Sequence, residues 1–270
     1  MYAHAIAIVF TILVLMSASI HDVRSREVPD YHWILLCGAA VAMAFYDHEI
    51  GCALLITAGY VLLSAYMFSP RLVGVPGILT LSVACVLLLL AYLLFSDESA
   101  LVTLSMSIIL LALYHIGLLR GGADAKSLIS LVMLFPLYPE IGHILWDPIY
   151  PEAYIFNPVF SILLLALLIS LLSINRIMWI NHMNGDCGFS EYRMDLEEAR
   201  SSFVWPREDI VDGKKVRVKI TEDVKGVYDR LEAAGEDQVW VTPMIPFVLP
   251  ITIAFAFIMV LGSPLFLLVI

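Results

Sequence analysis

The chain has 270 residues, of which 61% are apolar and only 15% charged, with a mean hydropathy of +0.90 and a net charge of −10. Soluble domains average about 45–50% apolar and about 25% charged residues, so this composition excludes a soluble enzyme, a disordered chain and a secreted disulfide scaffold. The acidic balance excludes nucleic acid as a partner, because phosphate contact needs a basic surface. The surrounding phase must be a lipid bilayer.

Crossing the hydrocarbon layer takes roughly 20 apolar residues, with about 17–25 as the usual range. In chain order the candidates are residues 3–21, 31–46, 50–69, 76–95, 100–119, 124–138, 153–179 and 245–268. The second and sixth are short, and the sixth contains Pro136. The first has no basic stretch before it and carries Arg24 and Arg26 after it, which predicts a retained helix rather than a cleaved signal. The expected fold is an all-α polytopic membrane protein of about eight helices with a small α+β insert. Residues 1–180 form the membrane domain with seven spans, 181–244 a small cytosolic domain, and 245–270 the last transmembrane helix.

Within the polar insert, Phe203 to Ile220 reads as a hairpin turning at Asp212-Gly213, with Val216, Val218 and Ile220 alternating on its return strand. Residues 222–234 suit a short helix, and Gln238–Thr242 a further strand. With eight spans and both termini outside, all fifteen Lys and Arg fall on the cytosolic side: Arg24, Arg26, Arg71, Arg120, Lys126, Arg176 and the basic residues from Arg193 to Arg230. The outer loops then hold only acids: Asp47, Glu49, Asp97, Glu98, Glu140, Asp147 and Glu152. Cytosolic enrichment in Lys and Arg is the rule that sets orientation, so this partition supports both the number of spans and their direction.

Two carboxylates stand at membrane boundaries. Asp22 follows the first apolar run, and Asp124 opens the sixth. Four spans separate them, an even number, which returns both to the cytosolic side. An ionisable group at the edge of the apolar layer is costly unless it faces water or the bundle interior, which makes each a functional candidate. Gly121 and Gly122 allow a sharp turn and close approach of another backbone, such as an extended peptide. Two carboxyls a few ångströms apart hold one proton between them, leaving one group to activate water and one to polarise a carbonyl. That suits amide hydrolysis without a metal or a covalent intermediate. Taken alone, either acid also reads as a solvated loop residue or a helix cap.

The flanking residues carry more. Asp22-Val23-Arg24-Ser25-Arg26-Glu27-Val28-Pro29-Asp30 resembles the D-x-[KR]-x-R-x-[IV]-P-[ND] loop after the first helix of prepilin peptidases. Gly121-Gly122-Ala123-Asp124-Ala125-Lys126 resembles the second signature of that GxGD aspartyl protease family. Val239-Trp240-Val241-Thr242-Pro243-Met244-Ile245-Pro246-Phe247 is similar to the archaeal preflagellin (archaellin) peptidase branch. The resemblance implies a membrane-embedded aspartic endopeptidase that cuts the short basic leader from archaeal type IV pilin-like precursors at the cytosolic membrane face. It maps the catalytic pair onto Asp22 and Asp124, and gives Gly121, Gly122 and Lys126 a place in the loop or in substrate binding. The expected partners are precursors with a basic leader followed by a hydrophobic helix, and no cofactor is implied.

The chain departs from the family pattern in carrying Ala123 where the motif has Gly, and in having more than the usual six spans. Bacterial relatives that also N-methylate their product often carry a cysteine-rich zinc element; none is present here, so peptidase activity alone is expected. The competing readings from the residues are a carrier relaying protons through the two acids and a noncatalytic scaffold of the pilus or archaellum machinery.

Cys37, Cys52, Cys85 and Cys187 form no C-x-x-C pair, and the histidines form no H-x-x-x-H or H-E-x-x-H spacing, so no metal site is expected. His21 reads as a loop residue. Lys126 could hold the loop, neutralise a carboxylate or simply snorkel to the interface. Trp33, Trp146 and Trp179 read as interfacial anchors. Asp195, Glu197 and Glu198 in the insert could attract a basic leader, affecting encounter rate above all.

Overall fold

The computed structural model describes residues 2–69, 74–119, 121–139, 141, 145, 157–184, 191–221 and 223–265. Arg71, Arg120, Glu140, Trp146, Asp147, Glu152, Cys187 and Glu222, and the span ends 153–156 and 266–268, lie outside the described residues. The chain divides into two compact units: Met1–Ala166 with Phe247–Ile270, and Leu167–Pro246.

The first unit holds helices α1 (Tyr2–Ser25), α2 (Tyr31–Asp47), α3 (Ile50–Phe68), α4 (Val75–Phe95), α5 (Glu98–His115), α6 (Gly122–Leu134) and α10 (Val248–Leu261), with the start of α7 (Pro158–Asn184). Helices thus stand at all eight expected places. Five of them (α1, α3, α4, α5 and α7) are long and apolar enough to cross a membrane, which makes this a multi-pass membrane protein. The other three are shorter, at 17, 13 and 14 residues for α2, α6 and α10. At 1.5 Å per residue α6 is only about 20 Å long. It stops at Leu134 instead of continuing to 138 because Pro136 disfavours helical geometry in the residue before it, and Phe135 leaves the helix at φ −132°, ψ 66°.

Burial in α1 is inverted relative to a soluble helix. Ile6, Val9, Leu13, Met16 and Ile20 are exposed, as a lipid-facing stripe requires, whereas Thr11, Ser19 and Asp22 are buried together with Ala7, Ile8, Val14, Leu15 and Ala18. The helix continues through His21 to Ser25, beyond the apolar run, so His21 and Asp22 are helical and not in the following loop. It ends where Arg26 takes a left-handed φ of 57° and its N–H bonds back to the Asp22 carbonyl at 3.1 Å. Trp33 is a second departure: it is fully buried in α2 and does not anchor an interface. Helix α1 packs on α2 and α10, while α6 packs on α2, α5 and α10.

The second unit carries the rest of α7, strands β1 (Tyr192–Asp195), β2 (Val204–Pro206), β3 (Glu208–Val211), β4 (Lys214–Arg217) and β5 (Gln238–Pro243), and helices α8 (Leu196–Ser201) and α9 (Val224–Ala233). Antiparallel pairing orders one sheet β1-β5-β2, and β3 pairs β4 in a second. The turn at Asp212-Gly213 forms as read, both residues at positive φ (51° and 73°), the geometry of a tight two-residue hairpin. Phe203–Pro206 does not belong to that hairpin. Its strand, β2, pairs with β5, and β4 ends at Arg217, before Val218 and Ile220. The core is formed by Leu196, Val204, Val227, Leu231, Val239 and Val241 with their neighbours, so β5, the strand of the third motif, lies at its centre.

Candidate active site

Asp22 is 8% exposed in the last turn of α1. One carboxylate oxygen accepts the backbone N–H of Val248 at 3.0 Å. Val248 is the first residue of α10, so the acid sits on the positive end of a helix, where unsatisfied N–H groups favour a negative charge. The two helices are fastened just behind this contact. Ser19 Oγ and Thr252 Oγ1 lie 2.7 Å apart, and Thr252 Oγ1 lies 3.2 Å from the Leu15 carbonyl and 2.9 Å from that of Val248. Arg26 adds its guanidinium, which donates to the Asp22 carbonyl at 3.2 Å.

The loop after Asp22 is fixed by His32. It is 1% exposed, with Nδ1 3.0 Å from the Pro29 carbonyl and Nε2 3.0 Å from Ser17 Oγ. A carbonyl can only accept, so Nδ1 carries a proton and donates to Pro29, while Nε2 shares a hydrogen bond with Ser17 Oγ. The imidazole therefore clamps the Val28-Pro29-Asp30 turn against α1. His21 meets this clamp edge-on, its ring centroid 5.3 Å from that of His32. Nothing in the residue pattern singled out His32, and only the fold brings Ser17 and Pro29 to opposite sides of its ring.

Asp124 is the third residue of α6, whose N-cap is Gly121. Its carboxylate folds back over the helix start and lies against the Gly121 backbone. That leaves no room at residue 121. A Cβ there would stand 2.2 Å from Asp124 Oδ2 and 2.7 Å from its Cγ, whereas a Cβ at Gly122 would meet only Tyr114 Oη at 3.9 Å. Gly121 has an ordinary φ of −85°, so its glycine leaves room for the Asp124 carboxyl and does not serve a left-handed backbone.

The two signatures are joined. Lys126 Nζ lies 2.6 Å from Asp30 Oδ1 and 5.4 Å from the centre of the Phe68 ring. Lys126 therefore ties the loop as well as sitting against apolar surface, and its partner Asp30 is the last residue of the first motif. Of the site residues expected from the pattern, Asp22, Gly121, Gly122, Asp124 and Lys126 all stand at this end of the bundle. A cavity of about 500 Å³ opens beside them, with Gly122, Ala125, Lys126, Tyr114 and His115 in its wall; neither aspartate lines it.

The comparisons with known proteins agree with the motifs. The family model described as Archaeal Peptidase A24 C-terminus Type II matches residues 188–263. A preflagellin peptidase of Methanocaldococcus jannaschii is 24% identical over 262 residues, covering 92% of this chain and 91% of that protein. A preflagellin peptidase of Methanococcus maripaludis is 23% identical over 273 residues, covering 92% of each. The likeness thus extends over both units, and it supports the resemblance to archaeal preflagellin peptidases carried by the three motifs.

Proposed function

We infer that this chain, similar over nine-tenths of its length to archaeal preflagellin peptidases, is a membrane-embedded aspartic endopeptidase acting on archaellin- or pilin-like precursors. Asp22 and Asp124 are its catalytic pair. Acting together they share one proton. The ionised carboxyl takes a proton from water, whose oxygen attacks the scissile carbonyl carbon, while the protonated carboxyl donates to the carbonyl oxygen. Collapse of the tetrahedral intermediate breaks the C–N bond, and the departing amine takes up the proton.

The observation that carries this reading is the joining of two sequence-distant signatures at one end of a helix bundle: Lys126 bonds Asp30, Asp22 accepts the first N–H of α10, and the Asp124 carboxyl folds back over the start of α6. A structural cap at α6 would account for Asp124 alone. It would not account for a buried Asp22 in the last turn of α1, held at the N-terminus of α10 at the same end of the bundle. The active end faces the cytosol, because the eight-span path puts every Lys and Arg on that side. A short basic leader is the substrate element to be removed, and the exposed acids Asp195, Glu197 and Glu198 on and before α8 favour its encounter.

The experiment is processing of an archaellin precursor by membranes carrying the wild type, Asp22→Asn or Asp124→Asn. Both variants should accumulate uncut precursor while inserting normally. Substantial processing by either one removes the pair mechanism.

A further inference from the structure

At the other end of the bundle three metal-ligating side chains converge. His48 lies between α2 and α3, Cys52 in the first turn of α3, and Asp97 caps the start of α5. His48 Nδ1 is 2.6 Å from Asp97 Oδ2, and Cys52 Sγ donates to the same oxygen at 3.4 Å. The three donor atoms all lie within 4.8 Å of one another, the one such group among the described residues. His4 at the start of α1 lies 3.4 Å from Asp47, beside this cluster in the chain. Asp22 is eighteen residues further along α1, about 27 Å at 1.5 Å per residue, so this group is separate from the candidate active site.

We propose that His48, Cys52 and Asp97 bind a borderline-soft divalent transition-metal ion, with Zn2+ the best match, through imidazole nitrogen, thiolate sulfur and carboxylate oxygen. Metal–ligand lengths of about 2.0–2.3 Å at tetrahedral angles put such donors about 3.4–3.6 Å apart. The Cys52–Asp97 separation already fits. His48 and Asp97 need to part by less than about 1 Å as the ion replaces the proton between them, and the thiol loses its proton on binding.

The supporting shell is present too. Ser99 Oγ lies 3.4 Å from the other ring nitrogen of His48 and donates to Asp97 Oδ1 at 2.5 Å; that oxygen also accepts the Ala100 N–H at 3.1 Å. Such partners of the remote nitrogen and oxygen orient ligands in known metal sites. Cys52 is 3% exposed, while the His48 and Asp97 side chains are 19% and 11% exposed, which gives an ion a way in and leaves a fourth position to water. A pair of hydrogen-bonded side chains needs no thiol. The aim of Cys52 at the same oxygen as His48 is what a metal site adds. The spacing His48-x-x-x-Cys52 was visible in the sequence, but its third ligand lies 45 residues on, beyond any local pattern.

The test uses the full-length protein, purified in detergent, stripped with a chelator and titrated with Zn2+ or Co2+. We expect one ion per chain, a thiolate-to-cobalt charge-transfer band with Co2+, and a raised unfolding temperature with Zn2+, as binding to the folded state requires. Cys52→Ser, nearly isosteric, should abolish the band, and Ser99→Ala should weaken affinity by at least about tenfold. No stoichiometric binding by the wild type overturns the proposal, and so does bound Co2+ lacking the thiolate band. These readouts are independent of precursor cleavage, so either proposal can fail alone.

Discussion

The ammonium of Lys126 stands 2.6 Å from a carboxylate oxygen of Asp30, across 96 positions of chain, and so fastens the loop after α1 to the N-terminal part of α6. The pair is partly solvated, with side-chain exposures of 24% and 45%, which limits its worth to that of a surface ion pair. Lys126→Met and Asp30→Asn should each slow precursor cleavage by no more than about fivefold. The double variant should be no slower than the worse single one, because both remove the same contact. A loss of several orders of magnitude on changing Lys126 would instead make it part of the reacting constellation.

The adjacent glycines should behave differently. Gly121→Ala puts a methyl into the Asp124 carboxyl, which must then swing away from its position over the helix start. Displacing a reacting group by about 1 Å costs about 100-fold in rate, so processing should fall by at least that much. Gly122→Ala meets nothing closer than 3.9 Å and should retain activity within about threefold. Steady-state cleavage rates for the two alanine variants check the contrast, and equal losses would contradict the assigned geometry.

In the second unit, Arg230 grips Asp209 with two bonds of 2.8 Å and holds its carboxyl below the usual carboxylate range. A depressed folded-state pKa contributes stability that is complete above the unfolded value of about 3.9 and is lost as pH falls through the folded one. The hydrogen-exchange protection factors of residues 208–217, taken relative to the intrinsic rate at each pH, should therefore fall a few-fold on acidification below about pH 4. Asp209→Asn should show the lower protection already at pH 7 and lose that acid dependence. An unchanged pH profile in the variant would place the acid sensitivity elsewhere.

Much of the membrane part was legible because apolar run length maps directly onto helices: α2, α3 and α4 begin and end within a residue of expectation. Hydropathy cannot see where a helix continues after its apolar residues stop, which is why the apolar run alone places Asp22 after α1 although it lies inside its last turn. Nor can it see packing: Trp33 carries the composition of an interfacial anchor and is fully buried. In the polar unit the tight turn at Asp212-Gly213 was local and readable. The pairing of β2 with β5, some 37 residues apart at Trp205 and Thr242, was not. Strand β1 has no local signal for the same reason, since Tyr192–Asp195 is a strand through its pairing with β5.

The site divides in the same way. Asp22, Asp124 and the Gly121-Gly122 turn stood out by residue type and place. Val248 contributes only its backbone N–H, which no side-chain pattern can announce. His32 gained meaning from Ser17 and Pro29 on either side of its ring.

The most direct test of the account is a double-mutant cycle on precursor cleavage with Asp22→Asn, Asp124→Asn and the two combined. Groups that share one proton fail as a unit, so each single variant should lose activity by several orders of magnitude and the double should lose no more. If one single variant keeps much of its activity, or if the two losses multiply, Asp22 and Asp124 do not work as a pair.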